Sequence, residues 1–204
     1  MYAFNITGDL AGLRRRHDLV VEAGGRCVML NVPVMGIPAL AWLREFAEVP
    51  IHGHRAGLAA SMRSPALGWS YRVWQQLARL AGADHLHVSG LRSKFYETDD
   101  EVAENVHSLL EPLGGTLGPV PTLSSGQNVT TAAPTYAAVR STDLLMLAGG
   151  GVAAHPDGPA AGVRSLRDAW AAAVAGVPLA EAARSRASAG EPALLHAVQK
   201  FGGA

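Results

Sequence analysis

The sequence predicts an α/β fold of successive strand–helix units around a parallel sheet, on three observations. Short apolar runs recur along the 204 residues, and each is followed by a segment with helix-like patterning. Two of the runs, Cys27-Val28-Met29-Leu30 and Leu144-Leu145-Met146-Leu147, are apolar without alternation, as strands covered on both faces require. The composition is that of a chain with a packed core, 49% hydrophobic and 17% charged, where about 25% charged is usual.

The elements follow in order. A strand at Ala3–Ile6 precedes a helix at Asp9–Ala23, which Gly24-Gly25 can close in the left-handed conformation that favours glycine. A strand at Cys27–Asn31 leads to a helix at Ile37–Phe46, a strand at Val49–His54 to a helix at Gly68–Leu80, and a strand at Asp84–Val88 to a long mixed loop, Ser89–Glu97. Thr98 then begins Thr-x-x-Glu, a capping box to Glu101. It opens a helix at Asp99–Leu113, whose acidic first turn suits the positive end of the helix dipole, and Gly114-Gly115 ends it. Strands at Gly118–Ser124 and Leu144–Ala148 flank a helix at Val129–Arg140. After Gly149-Gly150-Gly151 come helical stretches at Ala160–Ala175, Leu179–Arg186 and Ala193–Phe201. Neither a repeat nor a polar linker interrupts the plan, so residues 1–204 are expected to form one domain. Eight such units take about 250 residues. Six strands here leave either an incomplete (β/α) barrel or a doubly wound sheet, and a strand starting almost at Met1 suggests that the domain begins upstream.

Charge and cysteine usage narrow the function. Lys plus Arg and Asp plus Glu are 17 each, which leaves no electrostatic footprint for nucleic acid. One cysteine, Cys27, can form no internal disulfide or thiolate cluster and fits a cytoplasmic location. Asn5 and Asp9 precede Arg14-Arg15-Arg16, the reverse of a signal peptide. The longest apolar stretch, Ala169–Ala180, is broken by Gly176 and Pro178, short of the roughly 20 residues that span a bilayer. A soluble protein without a membrane partner is expected. Trp42, Trp69, Trp74 and Trp170 read as core or interface anchors, Arg14–Arg16 as a solvated helix face, and Cys27 as a buried strand residue.

In parallel barrels the working residues stand at the C-terminal strand ends. Here those ends hold Asn5-Ile6-Thr7, Asn31, His52-Gly53-His54-Arg55, His85-Leu86-His87-Val88-Ser89-Gly90, Ser124-Ser125-Gly126-Gln127 and Gly149-Gly150. Residues two apart on a strand face one side, so His52 with His54, and His85 with His87, can point the same way. Four imidazoles could ligate a metal. The fixed cation of Arg55 beside His54 disfavours a dication and favours phosphate or carboxylate, and anion binding is the reading adopted. Gly149, Gly150 and Gly151 after a strand expose backbone N–H groups to an anion, and Ser125-Gly126 after the neighbouring strand can add donors. Lys94, on the loop beside this rim, can close over a ligand and stabilise developing negative charge. A metal hydrolase, the other chemistry His-x-His suggests, needs a late-strand carboxylate, and Asp143 stands at the wrong end of its strand.

These motifs together resemble the C-terminal part of a RuBisCO large chain, from Tyr2 to about Phe201. The anchors are His-Gly-His-Arg-Ala at His52–Ala56, Gly-Ala-Asp-His-Leu-His at Gly82–His87, Lys94 seven residues after His87, Ser-Ser-Gly at Ser124–Gly126, and Ala-Gly-Gly-Gly-Val-Ala-Ala-His-Pro at Ala148–Pro156. The resemblance implies the TIM-barrel (β/α)8 fold, with this chain supplying about strands 3 to 8 and a helical tail. It implies that His54 contacts substrate hydroxyls and handles protons, that Arg55 and His87 bind phosphate, and that Lys94 stabilises the intermediate. It further implies that Ser125, with Gly126, contacts substrate, and that Gly149 and Gly150 donate to a second phosphate. In the family the first strand supplies a catalytic lysine and the second a Lys-x-Asp-Glu run whose carbamylated lysine and carboxylates hold Mg²⁺; neither strand has a counterpart here, so no metal ligand is assigned. Val88–Tyr96 departs from the carboxylase loop. Gln127 replaces a glycine, where a side chain is expected to crowd a phosphate. These departures resemble the RuBisCO-like (form IV) group. The expectation is part of a Mg²⁺-dependent enzyme that acts on a phosphorylated ketose or related sugar acid through an enediolate, as isomerase, enolase, decarboxylase or transcarboxylase, in a homodimer or higher homo-oligomer. The alternatives are a fragment of a true ribulose-bisphosphate carboxylase large chain and a non-catalytic truncated paralogue.

Overall fold

A computed structural model of the chain describes residues 2–64, 66–115 and 117–202. The strands are β1 (Phe4–Asn5), β2 (Val28–Asn31), β3 (Ile51–His54), β4 (His85–His87), β5 (Val120–Leu123) and β6 (Leu145–Met146). Their order across the sheet is their order in the chain, and the registered pairs from β1 to β5 are all parallel. A doubly wound sheet reverses its strand order part-way. The unreversed order is therefore that of an arc of a (β/α) barrel, which resolves the alternative left open by the sequence. Each strand lies inside its expected range and is shorter than that range.

The helices are α1 (Leu13–Glu22), α2 (Val32–Met35), α3 (Ile37–Arg44), α4 (Ala59–Met62), α5 (Tyr71–Leu80), α6 (Asp99–Leu110), α7 (Val129–Val139), α8 (Gly149–Ala153), α9 (Pro159–Ala175), α10 (Leu179–Ser188) and α11 (Ala193–Phe201). Three short ones, α2, α4 and α8, fall where the sequence suggested loop. Among the described residues no helix is long and apolar enough to cross a membrane. The chain divides into two compact units, Met1–Val88 with Asn105–Thr122, and Ser89–Glu104 with Leu123–Ala204.

In the first unit, strand side chains Leu30, Ile51 and Leu86 and helix side chains Leu13, Leu40, Leu43 and Leu109 are fully buried. Burying a Leu or Ile side chain contributes about 1.5–3 kcal/mol relative to leaving it in water. Ser70 caps α5 through its Oγ, which accepts the Val73 N–H at 3.3 Å. That helix buries Tyr71, Trp74, Gln75, Ala78 and Arg79. The Gln75 amide donates to Asn105 O at 2.9 Å, so a polar core residue is matched by a backbone acceptor. Of the three consecutive arginines on α1, Arg14 and Arg15 are exposed as expected, while Arg16 is half-buried. Arg14 lies over the Phe46 ring at 4.1 Å, and Arg16 binds Asp9 at 2.8 Å and donates to Ile6 O at 2.9 Å. Trp69 precedes α5 and is exposed, against the expectation of an anchor, whereas Trp74 is buried. Cys27 is buried as expected, and burial raises its pKa, with Asp84 adding to the effect.

The second unit is built on small residues. Val129, Ala132, Ala169, Ala183, Leu194 and Ala197 form its core, with Leu166, Trp170, Leu179 and Phe201 packed against it. Alanine at those positions lets α7, α9, α10 and α11 lie close together. Asn128 caps α7 by a capping box with Thr131, and Arg140 closes it in the left-handed conformation. His155, from the glycine-rich motif, is buried and its Nε2 bonds Ala193 O at 2.9 Å, tying the start of α11 to the end of α8. The Thr98–Glu101 capping box expected at the start of α6 is present, with Thr98 N–H to Glu101 at 2.8 Å and Glu101 N–H to Thr98 Oγ1 at 3.2 Å.

Candidate functional site

In the first unit, parallel register brings four polar side chains into one row at the C-terminal ends of the strands. Asn31 pairs with His54, and His87 with Thr122. His54 and His87 are ring neighbours, with centroids 4.7 Å apart. Two residues back along the strands, on the same face, His52 pairs with His85. The ring of His52 lies 5.9 Å from that of His87 and 6.4 Å from that of His54. The two His-x-His pairs therefore converge, as the spacing required.

Three buried atoms of this row, Asn31 Oδ1, His87 Nδ1 and Thr122 Oγ1, have no hydrogen-bond partner among the described residues. A buried polar group left unpaired costs about 1–3 kcal/mol. Three such atoms on β2, β4 and β5 leave hydrogen-bonding capacity unused beside the strand ends, where a polar ligand would find it. His54 Nδ1 accepts the Ala56 N–H at 3.1 Å, so the neutral ring carries its proton on Nε2, a donor free to turn to a ligand oxygen.

Electrostatics make the row neutral. Burial pushes His87 down to about 3, with His54, His52 and Arg55 acting in the same direction. Burial likewise brings His52 to about 4, helped by His85 and His54. Burial also lowers His54, with Arg55 contributing, and lowers His85, against the pull of Asp84. The fixed positive charge at the rim is then Arg55, whose guanidinium lies 4.4 Å from the centroid of the Tyr71 ring. Tyr71 donates its hydroxyl to His87 O at 2.6 Å. One buried tyrosine thus fixes both the arginine and the end of β4. Neutral imidazoles that can donate, beside an aromatic-backed guanidinium, suit an oxyanion. Arg55→Met is expected to weaken binding of inorganic phosphate about 10- to 100-fold by calorimetry, roughly 1.4–2.8 kcal/mol; unchanged affinity would remove Arg55 from the anion site.

In the second unit, Ser125 adopts φ +69° and Gly126 φ +74° at the turn leaving β5. Ser125 Oγ is buried and has no partner among the described residues. A side chain added at Gly126, Gly149 or Gly150 would meet nothing within 4 Å, so these backbones border open space, as a close-approaching anion requires. Gly149–Gly151 are not an extended loop; they begin the five-residue helix α8. Gln127 is 2% exposed. Its side chain does not stand over Gly126 but turns back to Leu91, donating to Leu91 O at 3.1 Å. The expected crowding of a phosphate by Gln127 is thereby corrected. Lys94 lies on an exposed stretch with Phe95 and Tyr96.

The sequence placed Asn31 at a strand end without joining it to the histidines, and gave no sign of Thr122 or Tyr71. Strand register could have supplied the first two, while the Tyr71 bond spans sixteen residues and left no local signal. Among the described residues no three His, Cys, Asp or Glu side chains are arranged to hold a metal ion. The rim's imidazole and guanidinium groups are also poor partners for Mg²⁺, which takes oxygen ligands.

Residues 1–198 match the family model of the ribulose bisphosphate carboxylase large chain, catalytic domain. A 3-oxo-isoapionate-4-phosphate transcarboxylase/hydrolase from Xanthobacter autotrophicus is 51% identical over 92% of this chain and 46% of its own length. An uncharacterized ribulose bisphosphate carboxylase-like protein of Bordetella bronchiseptica is 49% identical over 91% of this chain and 45% of its own. A 3-oxo-isoapionate-4-phosphate decarboxylase from Rhizobium rhizogenes is 40% identical over 98% of this chain and 48% of its own. Among solved structures, a rubisco-like protein from Burkholderia fungorum superposes with a TM-score of 0.91 at 46% identity, over 98% of this chain and 48% of that one. A dimeric archaeal rubisco from Hyperthermus butylicus gives 0.85 at 33% identity, over 98% of this chain and 49% of that one. The chain spans about half the length of the relatives it matches.

Proposed function

This chain belongs to the RuBisCO large-chain family, and on that premise we propose that it forms the ligand-holding rim of a RuBisCO-like enzyme that removes or transfers the carboxyl group of a phosphorylated 3-oxo sugar acid. The observation that carries the reading is the row Asn31, His54, His87 and Thr122, with its unpartnered buried atoms beside Arg55. Relatives that act on 3-oxo-isoapionate-4-phosphate, at 51% and 40% identity, support that substrate class.

In a 3-oxo acid, the bond between the carboxyl carbon and C2 breaks: the carboxylate leaves as carbon dioxide, the bonding pair moves into the C2–C3 bond, the ketone π pair moves onto its oxygen, and C2 of the resulting enolate then takes a proton from water. The ketone oxygen takes up negative charge. Lys94 supplies an ammonium to that oxygen when its loop lies over the ligand, and the His54 Nε2–H donates to a substrate hydroxyl. Arg55 and His87 hold one anionic group, and the open backbones at Gly126, Gly149 and Gly150, with Ser125, receive another. The proposal includes Mg²⁺ as an aid to charge on the oxygens. The imidazole and guanidinium groups of this rim do not fit that ion, and its ligands are assigned to the part of the enzyme that relatives carry beyond this span. A homodimer and a cytoplasmic location belong to the same proposal, the dimer supported by the dimeric archaeal neighbour.

The test is turnover by the native protein on three compounds: a phosphorylated 3-oxo sugar acid, its dephosphorylated counterpart and ribulose bisphosphate. Turnover of the first, with kcat/KM lower by at least about 100-fold for the second, a loss of roughly 2.7 kcal/mol, is expected. Carboxylation of ribulose bisphosphate with no turnover of the 3-oxo acid would overturn the reading.

A further inference from the structure

We infer that Gln127 is a positioning residue whose buried side-chain amide ties the base of the Lys94 loop to the end of β5 and so sets the place from which Lys94 acts. The inference rests on the role proposed for Lys94, while the tie itself stands on geometry alone.

Three backbone carbonyls converge on one side-chain nitrogen. Gln127 Nε2 donates to Ser125 O at 3.0 Å, Leu91 O at 3.1 Å and Ser124 O at 3.3 Å. Only the amide NH₂ can face three carbonyl oxygens; turning the group over would set its own oxygen against them. The orientation is therefore fixed by the acceptors, and the two serine carbonyls belong to the turn that Ser125 and Gly126 wind with positive φ. Leu91, the partner across the loop, is itself buried.

Gly90 shows how closely the side chain is fitted. A methyl group there would collide with Gln127 Nε2 and lie 2.5 Å from Ser124 O. The residue before Leu91 must then be glycine for the side chain to reach its acceptors. Beyond this point the loop is held at two further places. Ser89 Oγ donates to Glu97 at 2.9 Å, joining the loop's two ends, and Arg92 N–H donates to Asp99 at 2.7 Å. Between them Lys94, Phe95 and Tyr96 stand exposed. The loop is thus an exposed tip on a fastened base, and Gln127 is the fastening that connects it to the strand end bearing Ser125.

Two isosteric variants test this in the native protein. Gln127→Met keeps the length and apolar fill but has no donor. Gln127→Glu keeps the shape and presents an acceptor to the three carbonyls. Hydrogen exchange is read over residues 89–97, with α9 and α11 as internal controls for folding. Both variants are expected to exchange at least about tenfold faster in the loop with the controls unchanged. A loop that exchanges at the wild-type rate in Gln127→Met would overturn the tie, as would acceleration spread equally over the controls. With the phosphorylated 3-oxo acid, kcat is expected to fall about tenfold with KM within about twofold. A KM that rises in proportion with kcat intact would overturn the positioning role. Wild-type turnover reports separately on the proposed function, so failure there is distinguished from failure of the tie.

Discussion

Lys94→Met in the native protein is expected to lower kcat on the phosphorylated 3-oxo acid about 1,000-fold, roughly 4 kcal/mol of transition-state stabilisation, while phosphate affinity stays within about twofold. The asymmetry follows from where the lysine stands. It lies on an exposed stretch of the Ser89–Glu97 loop, apart in sequence from both anion-holding sets, so its removal leaves ground-state phosphate contacts in place. What it supplies is charge at the ketone oxygen, which becomes negative only as the carbon–carbon bond breaks. An interaction made only in the transition state lowers kcat and kcat/KM together when it is lost. A Lys94→Met enzyme that keeps kcat but loses affinity would turn the lysine into a ground-state anion contact.

Acid is expected to weaken the fold by about 4 kcal/mol between pH 7.5 and pH 5 through His52 and His87 together, roughly 2 kcal/mol each. The folded values are about 4 and about 3, against an ordinary value of 6.5. For a base whose pKa falls on folding, nothing is lost above pH 6.5, because neither state binds the proton. Below it the unfolded chain takes up protons that the buried rings refuse. Stability therefore drops as pH falls from about 6.5 toward 4. Urea unfolding at the two pH values measures this, and the double variant His52→Gln, His87→Gln should lose most of the difference. Bound phosphate opposes the effect, because an anion beside the rings favours their charged form. A pH dependence equal in wild type and double variant would place the acid sensitivity elsewhere.

How much of this was legible before the structure depends on the range of the interaction concerned. Strand and helix positions rest on periodicity and caps, which are local: the Thr98–Glu101 box and the left-handed Gly24 both stand where the sequence placed them, whereas the strand order, which separates a barrel from a doubly wound sheet, came only from the structure. The histidine row was half visible, since alternation along a strand puts His52 with His54 and His85 with His87 on one face. Its other half, Asn31 and Thr122, comes from register between strands distant in sequence. Tyr71 begins α5 and looks like any helix residue, yet it holds Arg55 by its ring and β4 by its hydroxyl. For Gln127 the substitution was visible but the rotamer was not, and the rotamer decides whether the side chain blocks a phosphate or fastens a loop. Arg16 misled for a similar reason: its three-residue basic run reads as solvated, while its partners, Asp9 and Ile6 O, lie in the segment between β1 and α1.

The most direct test of the central claim is to follow the carboxyl carbon. The native protein, supplied with Mg²⁺ and a phosphorylated 3-oxo sugar acid labelled with ¹³C in its carboxyl group, is monitored by ¹³C NMR. The account predicts that the labelled carbon leaves its original position, as carbon dioxide or bicarbonate or on a different carbon of the product, and that Arg55→Met and Lys94→Met both suppress the loss. A label that stays on its original carbon while the substrate is consumed would contradict it.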